Sequence, residues 1–236
     1  AVITITADCA IISTCIQTDG GIYRKVEGVK GGGLANYNTA ICMTVLHESR
    51  DKSFVPAILA AREYVASAQH FGDDIYKGGF GYDKNTKRAY TDLLNTYYSV
   101  QAMRITQDVE DSRGSKQKRV DIDWDATTNF IARMQNKADA GGNEAGGFFY
   151  NPSDPKAGTV TNKEGVVIFR SYGSITYAGM LALVYANVPK TDARIVSALN
   201  WAQNHWTLEE NPGMGQEGLY FFYEVLCRSL SASGVN

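Results

Sequence analysis

Apolar residues along the chain recur at helical spacing in two kinds of segment. In the first kind one face is apolar and the other polar. Val55, Ile58, Leu59 and Ala66 mark one such segment, and Phe130, Ile131 and Met134 another. These positions predict amphipathic helices. Asp123 or Asp125 ahead of "ATTNFIARM", and Asp192 ahead of "ARIVSALNW", stand where helix N-caps belong. In the second kind apolar residues run nearly all round: "LANYNTAICMTVLHES" (34–49), "YTDLLNTYYSVQAMRIT" (90–106), "SYGSITYAGMLALVYANV" (171–188) and "QEGLYFFYEVLCRSL" (216–230). Such helices are expected to be buried on both sides. No strand pattern of comparable strength appears.

The two kinds alternate, and a recurring turn joins them. "GGIY" (20–23), "GGFGY" (78–82) and "GGFFY" (146–150) each follow a segment ending on glutamine: "CAIISTCIQ" (9–17), "REYVASAQ" (62–69) and "TNFIARMQ" (128–135). Paired glycine lets the chain reverse tightly, and the aromatic fills the seam. The unit is an outer amphipathic helix, a turn and an inner buried helix. Repetition at this scale decides the fold. The expectation is an all-α chain, one domain over 1–236, forming an α/α toroid of about four outer/inner pairs. Two stretches stand outside the repeat. "QDVEDSRGSKQKRVDI" (107–122) is read as a solvated connector, and "NPSDPKAGTVTNKEGVVIF" (151–169) as a polar loop, a surface insertion or a lid.

The helix–glutamine–Gly-Gly-aromatic unit resembles the repeat of the squalene–hopene cyclase and protein prenyltransferase superfamily. "RSYGSITYAGMLAL" and "NPGMGQEGLYFFY" look like that superfamily's short bacterial members with prenyltransferase/squalene-oxidase repeats. The resemblance covers nearly the whole chain. It implies the toroid, with inner helices parallel, and export from the cell as in many short bacterial members. It does not carry the superfamily's chemistry, because repeat glycines and aromatics build the ring whatever the ring does. Cyclases of this group protonate an alkene with the middle acid of a DxDDTA motif at an inner-helix start. An alkene is a very weak base, so that acid must be strong and shielded from water. Aligning the motif on Thr39/Leu46, Thr96/Met103 and Thr176/Leu183 puts its acids on Ala35, Tyr37 and Asn38, then Asp92, Leu94 and Asn95, then Tyr172, Ser174 and Ile175. No helix keeps the triplet. In the fourth, which has no threonine, placing Leu226 at the same height sets Glu217 near the central acid position. The zinc-binding Asp-x-Cys of the prenyltransferases is missing from every inner-helix start, and so is the Cys-x-Glu-Gln of thioester domains.

Composition narrows the remaining classes. Lysine and arginine number 23 against 25 acids with no basic block, which argues against a nucleic-acid partner. No apolar run approaches the ~18 residues of a membrane span. No signal peptide opens the chain, which starts inside an apolar stretch as a trimmed or processed form would. Cys9, Cys15, Cys42 and Cys227 form no CxxC pair and are expected to be free thiols. His47, His70 and His205 fall at or just past predicted helix C-termini, where a cation is favoured, so capping is preferred to metal binding. "DIDWDATTNFIA" begins like a calcium loop but has Ala126 and Ala132 where glycine and glutamate belong, so helix capping is preferred there too. "GVKGGGL" lacks the ending of a phosphate loop and reads as a flexible link.

What remains is a polar and aromatic set at inner-helix starts: Tyr37, Asn38, Asp92, Asn95, Arg170, Tyr172, Ser174, Gln216 and Glu217. With parallel inner helices these line one mouth of the ring. They either hydrogen-bond one another and the open helix N-termini, or form a ligand pocket in which tyrosine faces give contact and the polar groups read the ligand. The expected function is a non-cyclase, non-zinc toroid, without cofactor or metal, binding a small molecule, glycan or peptide at that mouth. The alternatives are an enzyme (an atypical cyclase or prenyltransferase, or a glycan-cleaving toroid using Asp92 and Glu217) and a structural module of a larger exported protein.

Overall fold

A computed structural model describes residues 9–24, 34–83, 91–137 and 140–233. The chain is mostly helical. Residues 9–13 are helical. There follow α1 (Ala35–Glu48), α2 (Val55–Ser67), α3 (Leu93–Ile105), α4 (Gln107–Asp111), α5 (Trp124–Arg133), α6 (Gly173–Tyr185), α7 (Ala193–Asn204) and α8 (Leu219–Ser233). The short strands are β1 (Phe80–Gly81), β2 (Thr91–Asp92), β3 (Thr159–Thr161) and β4 (Val167–Phe169). None of the described helices is long and apolar enough to cross a membrane. The chain divides into two compact units, one of Ala1–Thr91 and Tyr98–Thr127, the other of Asp92–Tyr97 and Thr128–Asn236.

The expected amphipathic helices α2, α5 and α7 form, and the last two are capped by aspartates named from sequence. Asp123 Oδ1 accepts the Ala126 N–H at 2.8 Å, and Asp192 Oδ1 accepts the Arg194 N–H at 2.9 Å. Among the inner helices, α6 is buried continuously from Gly173 to Leu183. It packs against α8, where Phe222 meets the Tyr177 ring at 5.8 Å and Ser229 Oγ donates to the Tyr177 carbonyl at 3.1 Å. In the other unit α1 packs on α2. The expectation of burial on both sides fails for α8. Its Glu224 and Arg228 are exposed and pair with each other at 3.1 Å, one turn apart on the helix surface.

The glycine turns are built as one joint used three times. Gly20, Gly78 and Gly146 have φ of +86°, +94° and +90°. A Cβ added to each would lie 2.5, 2.1 and 2.4 Å from the carbonyl oxygens of Ala60, Ala126 and Ser197, which belong to α2, α5 and α7. Each turn thus lies against the outer helix that follows it, at a distance only glycine permits. The glutamines fasten two of these joints. Gln69 Nε2 donates to the Gly78 and Asp123 carbonyls at 3.1 and 2.9 Å. Gln135 Nε2 donates to the Gly146 and Arg194 carbonyls at 2.9 and 2.8 Å. Gln17 closes only its own turn, on the carbonyls of Cys15 and Tyr23. Inner-helix threonines take up the turn from the other side: Thr39 Oγ1 accepts the Ile22 N–H at 2.8 Å, and Thr176 Oγ1 accepts the Phe148 N–H at 3.0 Å.

Both stretches outside the repeat carry structure the pattern did not suggest. Residues 107–122 are more than a solvated connector, because α4 puts Glu110 into the core against Arg62. The Arg62 guanidinium reaches Glu110 Oε2 at 3.3 Å, the Met103 carbonyl at 2.7 Å and Thr106 Oγ1 at 2.8 Å. Arg113 and the Val120 N–H occupy Glu110 Oε1 at 2.9 and 2.8 Å. Burial alone would raise the Glu110 carboxyl. The Arg113 and Val120 hydrogen bonds, with Arg62 beyond them, outweigh it and hold the group below its ordinary range. The polar loop 151–169 contains an antiparallel ribbon, in which Val160 pairs with Ile168. The "GVKGGGL" segment (28–34) lies outside the described residues except for Leu34.

The joint makes a comparison between two glycines decisive. Gly165 also has φ of +80°, but nothing lies within 4 Å of its missing Cβ. Gly165→Ala is expected to cost about 1–2 kcal/mol, the conformational penalty alone. Gly78→Ala carries that penalty and must also push back a helix carbonyl, adding roughly 1–3 kcal/mol. Urea denaturation measures both. Equal losses would remove the helix contact from the account of the fold.

Candidate functional site

Asp92 is the N-cap of α3, and its surroundings set it apart from an ordinary cap. Its Oδ1 accepts the Asn95 N–H at 2.8 Å, its Oδ2 accepts Asn95 Nδ2 at 2.7 Å, and the Tyr150 side chain donates to the same carboxyl. Thr96 Oγ1 donates to its main-chain carbonyl at 2.7 Å. Asp92 is 2% exposed and Asn95 1%. No lysine, arginine or histidine pairs with the carboxyl among the described residues. Burial therefore dominates and pushes Asp92 up to about 7, against the lowering effect of its hydrogen bonds to Asn95, Tyr150 and the Leu94 N–H. The amide beside it is half used. Asn95 Nδ2 is spent on Asp92, and Oδ1, an acceptor enclosed by protein, has no donor among the described residues. A carboxyl poised near neutrality beside an open acceptor can exchange hydrogen bonds with a hydroxyl in either direction.

The other expected residues of this unit divide between scaffold and surface. Asn211, which the sequence pattern did not single out, caps α6 from outside. Its Oδ1 accepts the Ser174 N–H at 2.8 Å, while Nδ2 donates to Ser174 Oγ at 3.1 Å and to the Glu217 carbonyl at 2.9 Å. Ser174 is thus held as scaffold, as is Tyr172, a buried residue whose N–H donates to the Phe148 carbonyl at 3.3 Å. Gln216 and Glu217 are exposed in the turn ahead of α8, with Gln216 Nε2 on the Glu209 carbonyl at 2.8 Å. Arg170 is exposed, makes no ion pair with Glu217, and lines a cleft of about 660 Å³ formed with residues 140–144 and the β3–β4 ribbon.

In the other unit, Tyr37 and Asn38 lie half-buried in the first turn of α1. The Tyr37 ring meets Tyr98 edge to face at 5.1 Å and lies 6.1 Å from Tyr82. All three rings are partly open to solvent. Asn36 beside them is fully buried, donates Nδ2 to the Gly81 carbonyl at 2.9 Å, and leaves Oδ1 without a donor among the described residues.

The histidines serve structure. His47 Nε2 lies 2.8 Å from Asp108 Oδ1, His70 Nε2 2.8 Å from Asp74 Oδ2, and His205 Nδ1 2.8 Å from the Trp201 carbonyl. Among the described residues no three His, Cys, Asp or Glu gather in a group able to hold a metal ion. The four cysteines are free, and burial lifts the Cys42 thiol to about 11, with Cys15 adding to the rise.

The sign of the Asp92 shift fixes a pH dependence. Between about pH 4 and 7 the folded state holds a proton that the unfolded chain has released, so stability falls as pH rises through that window. A carboxyl lifted from about 3.9 to about 7 costs the folded state roughly 4 kcal/mol once ionised. Asparagine caps helices as well as aspartate, and the Asn95 amide is free to turn its Oδ1 toward the new Nδ2. The wild type should therefore lose melting temperature between pH 5 and pH 8, and Asp92→Asn should flatten that loss. Calorimetry on both proteins checks this, and parallel curves would return Asp92 to an ordinary ionised cap.

No family model, no characterised protein and no solved structure matches this chain.

Proposed function

We propose that the chain is a non-cyclase, non-zinc α/α toroid of the terpenoid-cyclase type that binds a hydroxyl-rich ligand, a glycan segment or a comparable small molecule, at its inner-helix N-termini. In this reading α1, α3, α6 and α8 are the inner helices and α2, α5 and α7 the outer ones. The support for the ring is the recurrence of one glycine joint at three turns, fastened by a glutamine at two of them and by a helix threonine at two. The observation that carries the binding reading is the Asp92–Asn95–Tyr150 cluster. Among the described residues, it buries a carboxyl without a cation and an amide oxygen without a donor. Leaving such an acceptor unmade costs about 1–3 kcal/mol, which a ligand hydroxyl would recover.

One observation favours a second reading, in which the ligand is also cleaved. An acid near 7 is matched to general acid–base work at neutral pH. Glu217, the partner expected from sequence, is exposed in its turn and is not among the hydrogen-bond partners of Asp92.

Titration calorimetry with maltohexaose, xylohexaose and chitohexaose tests the proposal. At least one should bind, and Asn95→Ala and Tyr150→Ala should each weaken it about tenfold or more, equivalent to roughly 1.4 kcal/mol. Release of reducing ends that Asp92→Asn abolishes, with binding retained, would move the protein to the second reading. Absence of heat with all three sugars, or binding unchanged in both alanine variants, would overturn the first.

A further inference from the structure

The β3–β4 ribbon has one edge whose hydrogen-bonding groups no described residue pairs. Asn162 N–H donates to the Val166 carbonyl at 2.9 Å, and Arg170 N–H to the Gly158 carbonyl at 2.9 Å. With Val160 opposite Ile168, the bonded pairs fall on the even-numbered positions. The antiparallel alternation then turns the N–H and C=O groups of Thr159 and Thr161 away from β4. Neither residue has a hydrogen-bond partner on that side among the described residues. The opposite edge is partly closed, because Asn136 Nδ2 takes the Phe169 carbonyl at 2.7 Å.

The cleft of about 660 Å³ lies against the ribbon and reaches its open edge at Thr161. On β4 it touches only Ile168 and the following Arg170, which share one face of the ribbon, whereas on β3 and its turn it touches consecutive residues from Val160 to Glu164. Consecutive contacts on an alternating strand mean that the space lies beside the strand as well as beneath it. Val160 and Ile168 give it an apolar floor. The Arg170 guanidinium and the Lys163 ammonium have no ion pair or hydrogen bond among the described residues. Of the two carboxylates there, Glu144 already accepts the Ser171 N–H at 2.6 Å.

We propose that this edge binds an extended peptide bearing acidic side chains, added as a third strand along β3 with a carboxylate on Arg170. Main-chain bonds to Thr159 and Thr161 give the peptide its grip, and alternate side chains fall toward the apolar floor and the two cations. Neither Asp92 nor Asn95 lines this cleft. The inference is therefore independent of the hydroxyl-ligand reading, and either can fail alone.

Fluorescence anisotropy tests it with a labelled, end-capped octapeptide that has threonine at odd positions and valine and glutamate in turn at even ones, so that both fall on the face of Val160, Ile168 and Arg170. Saturable binding is expected, at least tenfold weaker for the lysine counterpart and for the same glutamate peptide N-methylated on alternate amides. Thr161→Pro removes an outward N–H that the ribbon's own ladder does not use, so it should abolish binding and leave the melting temperature unchanged. Arg170→Glu should weaken binding at least tenfold, again without a thermal shift, since the residue has no partner to lose. Absence of saturable binding, equal affinity for the lysine peptide, or undiminished binding of the N-methylated peptide to the wild type would overturn the proposal. Full competition by free glutarate, which has the anion but no backbone, would also overturn it by reducing the cleft to a small-anion site.

Discussion

The close approach of a glycine Cα to a helix carbonyl is the constraint on which the rest of the structure depends. At Gly20, Gly78 and Gly146 there is no room for a side chain between turn and helix, so each turn fixes where the next outer helix lies. Once that distance is set, the other polar roles follow. A glutamine at the end of the preceding helix is long enough to reach both the glycine carbonyl and the opening carbonyl of the next helix, as Gln69 and Gln135 do. The main chain just after the glycines would be buried with an unpaired N–H, and an inner-helix threonine accepts it. A hydroxyl serves here because it can accept from the turn while donating back to its own helix, as Thr39 does to the Ala35 carbonyl at 2.7 Å.

Most of this was legible because its signals are local and repeated. Helical periodicity, aspartate caps, glycine pairs and terminal glutamines all sit within a few residues of what they control. The misreadings are equally physical. A five-residue helix such as α4 has too little periodicity to announce itself, and it is held by Arg62, 48 positions away from Glu110. The three-residue strands of the ribbon have mostly exposed residues and no apolar alternation to read. The fourth inner helix starts at Leu219, not 216, because Gly215 and Gly218 hold φ of +60° and +66° and keep the chain in a turn. That displacement takes Gln216 and Glu217 off the helix and into solvent.

The candidate site was half legible for the same reason. Asp92 and Asn95 lie three residues apart at a helix start, where capping chemistry predicts their contact. Tyr150 and Asn211 act on residues 58 and 37 positions away, through packing that one sequence does not encode in any short window. Tyr37, Asn38, Ser174 and Tyr172 are where their helices were expected to begin, but of the expected set Asn95 combines deep burial with a side-chain oxygen that has no donor among the described residues.

That combination is where cap and ligand readings part. A helix N-terminus needs one side-chain acceptor, and asparagine supplies it as well as aspartate does. Aspartate at 92 adds nothing to the cap that asparagine lacks, yet buried without a cation it makes the folded state less stable as soon as it ionises. A purely structural cap would avoid that cost by changing one residue or by admitting water or a basic side chain. Glu110 shows the contrast within the same chain: it is equally buried, but two arginines and a backbone amide keep it ionised and structural. Among the described residues Asp92 has neutral donors alone, and neutral donors leave a carboxyl able to take up and give back a proton near pH 7. The difference between those two environments, more than the presence of an acid at a helix start, is what the proposed binding role of Asp92 rests on.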